Sequence, residues 1–597
     1  MGTEAPAHHR SPADAPPRLL LGPLLRHVDE TSATVWVETD RPCAVELRAD
    51  DRSVVERTWS VHGHHYALLA LTGLPPASEL PYEVAVDGRR AWPEPGSPYP
   101  SSVIRTIRPD ESLRLAFGSC RRCAPDNRRA RRAFGVDALA GLAERMALTP
   151  HEEWPDALFL AGDQIYADDP SPELTKRLKE AHDGGSRAVR AEVRNFEEYT
   201  WLYHETWSPP AVRWLLSTVP SAMILDDHDL RDDWNSSLSW REWATAQEWW
   251  RGRVTGAFAS YWVYQHLGNL SPGELAEDDM WATVRSTADD DERTRALDEF
   301  AYRTDEEPTT ARWSFFRDFG TDEHQIRLVV VDSRCSRRLE PDDRAMVDDV
   351  EWQWVRDHVR VDNLEHLLIG TTLPFLLPPG IHHLQGWNEA VTSRRAWGPL
   401  VARAGEWLRR LVDLEHWAAF RNSFEQMTDL LVEITQGTNP PASVLVLSGD
   451  VHCSYTARAR LPVPHPATAV HQLTQSPFRN PMETPLRVAY TTIEWSPLQR
   501  LWHRMARSAG VDDVRIGWEI DHGPWFVNGV MTLVVVGREA RVEVGEGDVR
   551  DGRSWLTRTV NIPLTAARPT DRPPRRAGAR AFRQPQPAGR WRATKSS

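Results

Sequence analysis

The sequence predicts an α/β protein: a small β-sandwich of immunoglobulin or fibronectin type III kind, then a larger α/β domain carrying a helical insertion. Three observations carry that expectation. Four early segments, TSATVWVET, CAVELRA, HHYALLALTGL and YEVAVDG, alternate apolar and polar residues as half-buried strands do, with turn residues between them. From about residue 113 the pattern changes to short apolar runs alternating with longer helical stretches. The 597 residues are also enough to bury a large core without staples.

In chain order, residues 1–18 are polar and Pro-rich and read as a flexible arm. Residues 19–108 make the sandwich. The larger domain spans 109–565, with strands expected at Leu113–Phe117, Ala157–Ala161, Ala222–Leu225, Ile326–Val331, His366–Ile369, Val444–Leu447 and Val530–Val536. Helices are expected at Arg129–Ala147 and Trp240–His266. The insertion, about 236–325, is rich in Trp (Trp240, Trp243, Trp249, Trp250, Trp262), which at helical spacing reads as core. The stretch 372–392, with His382 and His383, reads as a polar loop. Residues 566–597 read as a disordered basic tail.

Composition narrows the function. At 41% hydrophobic and 26% charged, the chain is neither disordered as a whole nor membrane-like. No apolar run approaches the roughly 18–20 residues of a transmembrane helix. The start lacks the basic, apolar and small-residue segments of a secretory signal, so a cytoplasmic location is expected. Five Cys (Cys43, Cys120, Cys123, Cys335, Cys453) are too few and scattered for a disulfide scaffold. Cys120-Arg-Arg-Cys123 lacks the second pair that a zinc or redox site needs. From Arg568 to Lys595 nine basic residues face Asp571 alone, so the net −14 conceals an acidic body of −22. That body argues against a nucleic-acid-binding surface.

Chemistry concentrates where the apolar runs end. LRLAFGSC ends at Cys120, and ALFLAGDQIY at Asp163 with Tyr166 three residues on. SAMILDDHDLRDDWN supplies Asp226, Asp227, His228 and Asp229, then Asp232 and Asp233. IRLVVVDSR ends at Asp332 and Arg334, and VLVLSGDVHCS at Asp450 and His452. Ligands of α/β sheets collect at the carboxyl ends of strands, so residues over 300 positions apart are expected to converge. Carboxylate, imidazole, phenolate and thiolate together suit a trivalent iron beside a harder divalent ion.

Residues about 20–565 resemble the PhoD-like alkaline phosphatase family. The matching stretches are GPLLRHVDETSATVWVET and TGLPP early, then FGSC, GDQIYAD, DDHDLRDD, VVVDSR and SGDVHCS. The resemblance implies a metallophosphatase-type α/β/β/α sandwich behind the β-sandwich. It implies that Cys120, Asp163 and Tyr166 bind Fe3+, that Asp163 bridges to one or more divalent ions, typically Ca2+ with Mn, Mg or Zn as alternatives, and that Asp450 and His452 complete the shell. Asp233 stands where many members carry a ligand Asn, and Asp227 is the second candidate for that place.

The function expected is metal-dependent phosphoester hydrolysis, with metal-activated hydroxide attacking a phosphomonoester or phosphodiester. His228 is the candidate general acid. Arg334 either holds a phosphate oxygen through its planar fork or pairs structurally with Asp332. The competing reading is a non-catalytic binding or scaffold protein that works through the β-sandwich.

Overall fold

The early alternating segments become two antiparallel sheets in this computed structural model. One runs Leu19–Val28, Ser32–Thr39, His64–Thr72, Trp59–Val61; the other Arg52–Arg57, Ala44–Ala49, Glu79–Val86, Arg89–Trp92, with Val103–Arg105 also on Glu79–Val86. Val35, Val37 and Leu69 of the first and Val45, Leu47 and Val84 of the second share one apolar cluster. That is the core a period-two pattern demands. The opposite face of Ser32–Thr39 is buried too, because Trp36 joins the cluster that holds Trp262 and Tyr264 of the insertion. The structure describes residues 16–565 apart from 109–111, 183–190, 321–324, 362, 394–395 and 465–466. Residues 1–15 of the expected arm and the expected tail 566–597 lie outside the described residues.

Two larger mixed sheets follow. The first has the order Ser221–Ile224, Ala157–Ala161, Ser112–Gly118, Gly529–Val536, Glu539–Arg550, Arg553–Pro563, and its first three strands are parallel. The second has the order Phe315–Phe319, Gln325–Val331, Leu364–Thr371, Ser443–Ser448, Ala469–Thr474, Ser454–Arg460, Gly517–Trp525, with four parallel strands from Gln325–Val331 to Ala469–Thr474. The sheets stack face to face. A Cβ added at Gly370 would sit 2.8 Å from the Phe159 ring across the gap, and Leu158, Leu368, Leu445 and Leu447 share one core.

Register sets where the loops emerge. Gly118 lies opposite Leu160, and Ala161 opposite Ile224. Gly370 lies opposite Leu447, and Ser448 opposite Thr474. The segments that follow these strands therefore leave from one shared carboxyl edge.

Four expectations need correction. Arg129–Ala147 is two helices, Arg128–Phe134 and Ala138–Met146, because Gly135 (φ 71°) stops the first and the Asp137 side chain caps the second through the Ala140 N–H. Trp240–His266 is likewise divided, into Leu238–Thr245 and Trp250–Tyr264. The stretch 372–392 is largely the helix Pro379–Thr392, since Pro in a first turn starts a helix at no hydrogen-bond cost. The last part of the insertion, Phe315–Phe319, is an edge strand rather than helix.

A buried carboxylate joins the sandwich to the helices. Glu38 is fully buried and takes hydrogen bonds from His204 (2.7 Å), Tyr264 (2.9 Å) and His64 (3.1 Å). Burial alone would raise its pKa, but the two imidazoles outweigh it and the net shift is downward. Burial opposes charge on His64 as well, yet Glu38 and Glu197 raise its pKa. Glu38 therefore stabilises above its unfolded value and loses that effect as pH falls through the lowered one. His64 stabilises below its unfolded value and loses that effect as pH rises through the raised one. The joint is strongest between about pH 4.5 and 6.5. Glu38→Ala leaves His204 and Nδ1 of His64 without their acceptor, Glu197 remaining on the other nitrogen of His64, and is expected to cost about 3–5 kcal/mol in denaturant unfolding at pH 5.5; a cost below about 1 kcal/mol would contradict this joint.

Candidate metal centre

The shared carboxyl edge carries two donor clusters with one member in common. Ligand atoms of Cys120, Asp163 and His452 lie within 4.8 Å of one another, and so do those of Asp163, Asp227 and Asp450. The Cys120 thiol donates to Asp163 Oδ2 (3.2 Å), and the Tyr166 hydroxyl lies 3.5 Å from the same oxygen. Asp163 Oδ1 is buried with no hydrogen-bond donor. An orphaned carboxylate oxygen facing other carboxylates is costly unless a cation satisfies it.

The electrostatics agree. Burial, with Asp450 adding and His228 opposing, raises Asp163 to about 6. Burial and the Asp163 and Asp450 carboxylates raise Cys120 far above the usual thiol range. Burial lowers His452 to about 4, leaving the neutral imidazole that ligates metals. Asp163 and Cys120 thus resist carrying negative charge without cations, whereas His416, Arg334 and His452 hold Asp450 ionised against its burial, lowering it to about 2, and the mix of donors fits bound cations.

The backbone is strained at the same places. Cys120 (φ 55°), Asp163 (φ 52°), Asp450 (φ 66°) and His452 (φ 50°) all adopt the left-handed region, at about 1–3 kcal/mol each. Two glycines let the loops approach. A Cβ at Gly449 would lie 2.2 Å from Ser119 Oγ, and one at Gly162 (φ 99°) 2.6 Å from Asp226 Cβ. Ser119 Oγ takes a hydrogen bond from the Asp450 N–H (2.9 Å), which ties the Cys120 loop to the Asp450 loop.

The remaining expected residues lie around these clusters as follows. Asp227, not Asp233, belongs to a cluster; the Asp233 N–H donates to Asp227 Oδ2 (3.2 Å) and orients it. Arg334 is wholly buried rather than free to hold phosphate, and its guanidinium does not pair with Asp332. Asp332 instead accepts the backbone N–H groups of Arg334 and Cys335 (2.8 and 3.0 Å), a turn that aims the side chain inward. There it bonds Asp226 and Glu415 and lies 3.2 Å from Asp227 and 3.7 Å from Asp450. His228 sits at the rim with Nδ1 3.0 Å from Asp168 Oδ1, its ring 4.6 Å from that of Tyr166. Burial disfavours its charge, but Asp168 and Asp163 raise its pKa well above the ordinary value. Cys123 donates to the Glu205 carbonyl (3.3 Å), so Cys120 and Cys123 are separate thiols.

Sequence reasoning missed His416 and Asn480. The His416 N–H donates to Gln385 Oε1 (3.2 Å), which fixes the amide so that Gln385 Nε2 donates to His416 Nδ1 (2.7 Å). The ring proton must then sit on Nε2, 3.3 Å from Asp450 Oδ2. His416 thus faces Asp450 through Nε2 at the edge of the donor clusters. Asn480 Nδ2 lies 3.2 Å from the Tyr166 hydroxyl and 3.5 Å from His452 Nε2. It follows the strand Ala469–Thr474, so the carboxyl-end rule finds it once that strand is recognised. His416→Ala is expected to weaken metal retention about 10–100-fold in competition with a chelator; unchanged retention would remove His416 from this role.

Two stacked mixed sheets with such donors at their common carboxyl edge define a protein of metallophosphatase-type fold. The chain belongs to the PhoD-like phosphatase family, whose sequence pattern matches residues 141–480. Residues 16–104 match a domain of unknown function, DUF7800. Among solved structures, that of PhoD aligns over 92% of this chain and 91% of its own, with a TM-score of 0.56 at 12% identity. A maltogenic amylase from S. marinus (9% identity, TM-score 0.15, 91% of this chain and 81% of its own) is too dissimilar to inform the fold. No curated protein matches the chain. Among the described residues no helix is long and apolar enough to cross a membrane.

Proposed function

We propose that this phosphoesterase works through two cation positions that share Asp163, with Cys120, Tyr166 and His452 on one side and Asp227 and Asp450 on the other. The observation that carries the reading is the pair of donor clusters with Asp163 as their common member. Thiolate, phenolate and imidazole on the first side favour Fe3+; the all-carboxylate second side favours Ca2+, then Mn2+ or Mg2+. Bound cations supply charge for a phosphoryl group and lower the pKa of a coordinated water.

The side chains then divide the remaining work. His228, its Nδ1 fixed by Asp168, presents Nε2 at the rim, where it hands a proton to the leaving alkoxide. Tyr166 packs beside it, its ring tilted by 33°, and limits its rotation. Arg334 lies beneath the carboxylates and offsets their mutual repulsion. Asn480 holds Tyr166 and His452 in register. The substrate is a phosphomonoester or phosphodiester. Metal analysis of the purified protein, paired with hydrolysis of p-nitrophenyl phosphate and its bis ester, tests the reading and separates the two ester classes. Protein without iron or a divalent metal, inert on both esters after reconstitution, would overturn it.

A further inference from the structure

A second charged site lies at the other end of the sheets. Arg105, Arg108, Arg114, Arg317 and Arg541 line a cavity of about 310 Å³. It opens where Ser112–Gly118 and Glu539–Arg550 begin and Phe315–Phe319 ends. The donor clusters sit past the far end of Ser112–Gly118, roughly 20 Å away along the strand.

Among the described residues, the acids near this cavity do not balance it. Glu152 and Asp156 also line it, and Asp156 lies 3.4 Å from Arg105. Glu543 is shared by Arg114 (3.1 Å), Arg558 (2.8 Å) and Arg541 (3.6 Å). Arg317 is 97% buried, and among the described residues it bonds only the carbonyls of Arg26 (3.3 Å) and Gly268 (3.4 Å). Among the described residues its Nε has no hydrogen-bond partner, nor do the buried Nε atoms of Arg105 and Arg114. Arg26, fully buried beside it, likewise bonds only carbonyl oxygens: those of Ser221, Tyr264 and Gln265, and the side chain of Asn269. Burial lowers Arg26 to about 9, with Arg317 adding to the shift, and burial lowers Arg317 to about 10. Glu274 reaches Arg317 through its charge, but among the described residues no carboxylate bonds either guanidinium, and two adjoining buried cations so placed are a standing electrostatic cost. An anion in the adjoining cavity would relieve it.

We propose that this cavity binds a phosphate-class oxyanion, inorganic phosphate or pyrophosphate, with Arg317 as the buried anchor and Arg108 and Arg541 at the rim. Planar guanidinium forks match phosphate oxygens, and the volume lies at the lower end of small-ligand sites. The segment Arg105–Arg108 leads from the sandwich into the first central sheet, so an anion here fastens that junction. The site stands independently of the metal-centre reading.

Isothermal titration of the full chain with inorganic phosphate, then pyrophosphate, tests it. In metal-loaded protein two equivalents are expected, one surviving chelation because the bare carboxylate cluster repels anions. Arg541→Gln and Arg108→Gln should each weaken that equivalent at least tenfold. Arg108→Gln should also raise the melting temperature of anion-free protein, since it removes a like charge. A single equivalent in metal-loaded protein that neither substitution changes would overturn the proposal, as would no binding after chelation to protein that stays folded.

Discussion

Asp163→Asn is expected to lower the hydrolysis rate by about 10³-fold or more and to empty both cation positions together. The reason is geometric. Asp163 belongs to both donor clusters, whereas Cys120 and His452 belong only to one and Asp227 and Asp450 only to the other. A neutral amide donates one oxygen and cannot bridge two cations. The variant keeps the side chain's shape, and it removes a buried carboxylate that already resists ionisation. Metal-free Asp163→Asn is therefore expected to be at least as stable as metal-free wild type. That separates loss of chemistry from loss of fold. Retention of both metals, or near wild-type turnover, would contradict the bridge.

Arg334→Met is expected to cost about 3–5 kcal/mol by urea unfolding of metal-free protein. The wholly buried guanidinium bonds Asp226 and Glu415 and faces Asp227 and Asp450. Removing it leaves that group of acids with only Arg337, which meets Glu415 at 2.9 Å, and His416, which meets Asp450. Burial then drives protons onto the carboxylates, and cation affinity falls with them. Adding Glu415→Gln should recover part of the loss, because it deletes one of the abandoned charges; purely additive losses would place the two residues outside one network.

The strand-end rule brought most of the residues of the donor clusters together from sequence. Cys120, Asp163, Asp227, Asp450 and His452 each follow an apolar strand whose register in a parallel sheet brings its end to the common edge. The spacing pattern in DDHDLRDD could not choose between Asp227 and Asp233, because the answer depends on a 3₁₀ turn, Asp227–Asp229, capped by Asp226. Arg334 followed the rule too, but its direction is set by a turn around Asp332 that aims it under the site. His416 was illegible for a different reason. It lies in an irregular segment ahead of the short turn Trp417–Ala419 and reaches Asp450 only because Gln385, on the helix Pro379–Thr392, fixes its ring. That helix itself was obscured by Pro378-Pro379-Gly380, which reads as a break and acts as a helix start. Period-two alternation found the central strands of the sandwich. It missed short edge strands such as Trp59–Val61 and Arg89–Trp92, which are three and four residues long and carry little periodic signal.

The measurement that bears most directly on the shared role of Asp163 is a crystal structure of the metal-loaded protein, with anomalous difference maps collected above and below the iron edge. The expected result is two peaks flanking the Asp163 carboxylate. One lies against Cys120, Tyr166 and His452 and vanishes below the edge; the other lies against Asp227 and Asp450 and persists in electron density as a lighter ion. A single peak bound by one Asp163 oxygen, or a second ion seated on Asp233 instead of Asp227, would contradict it.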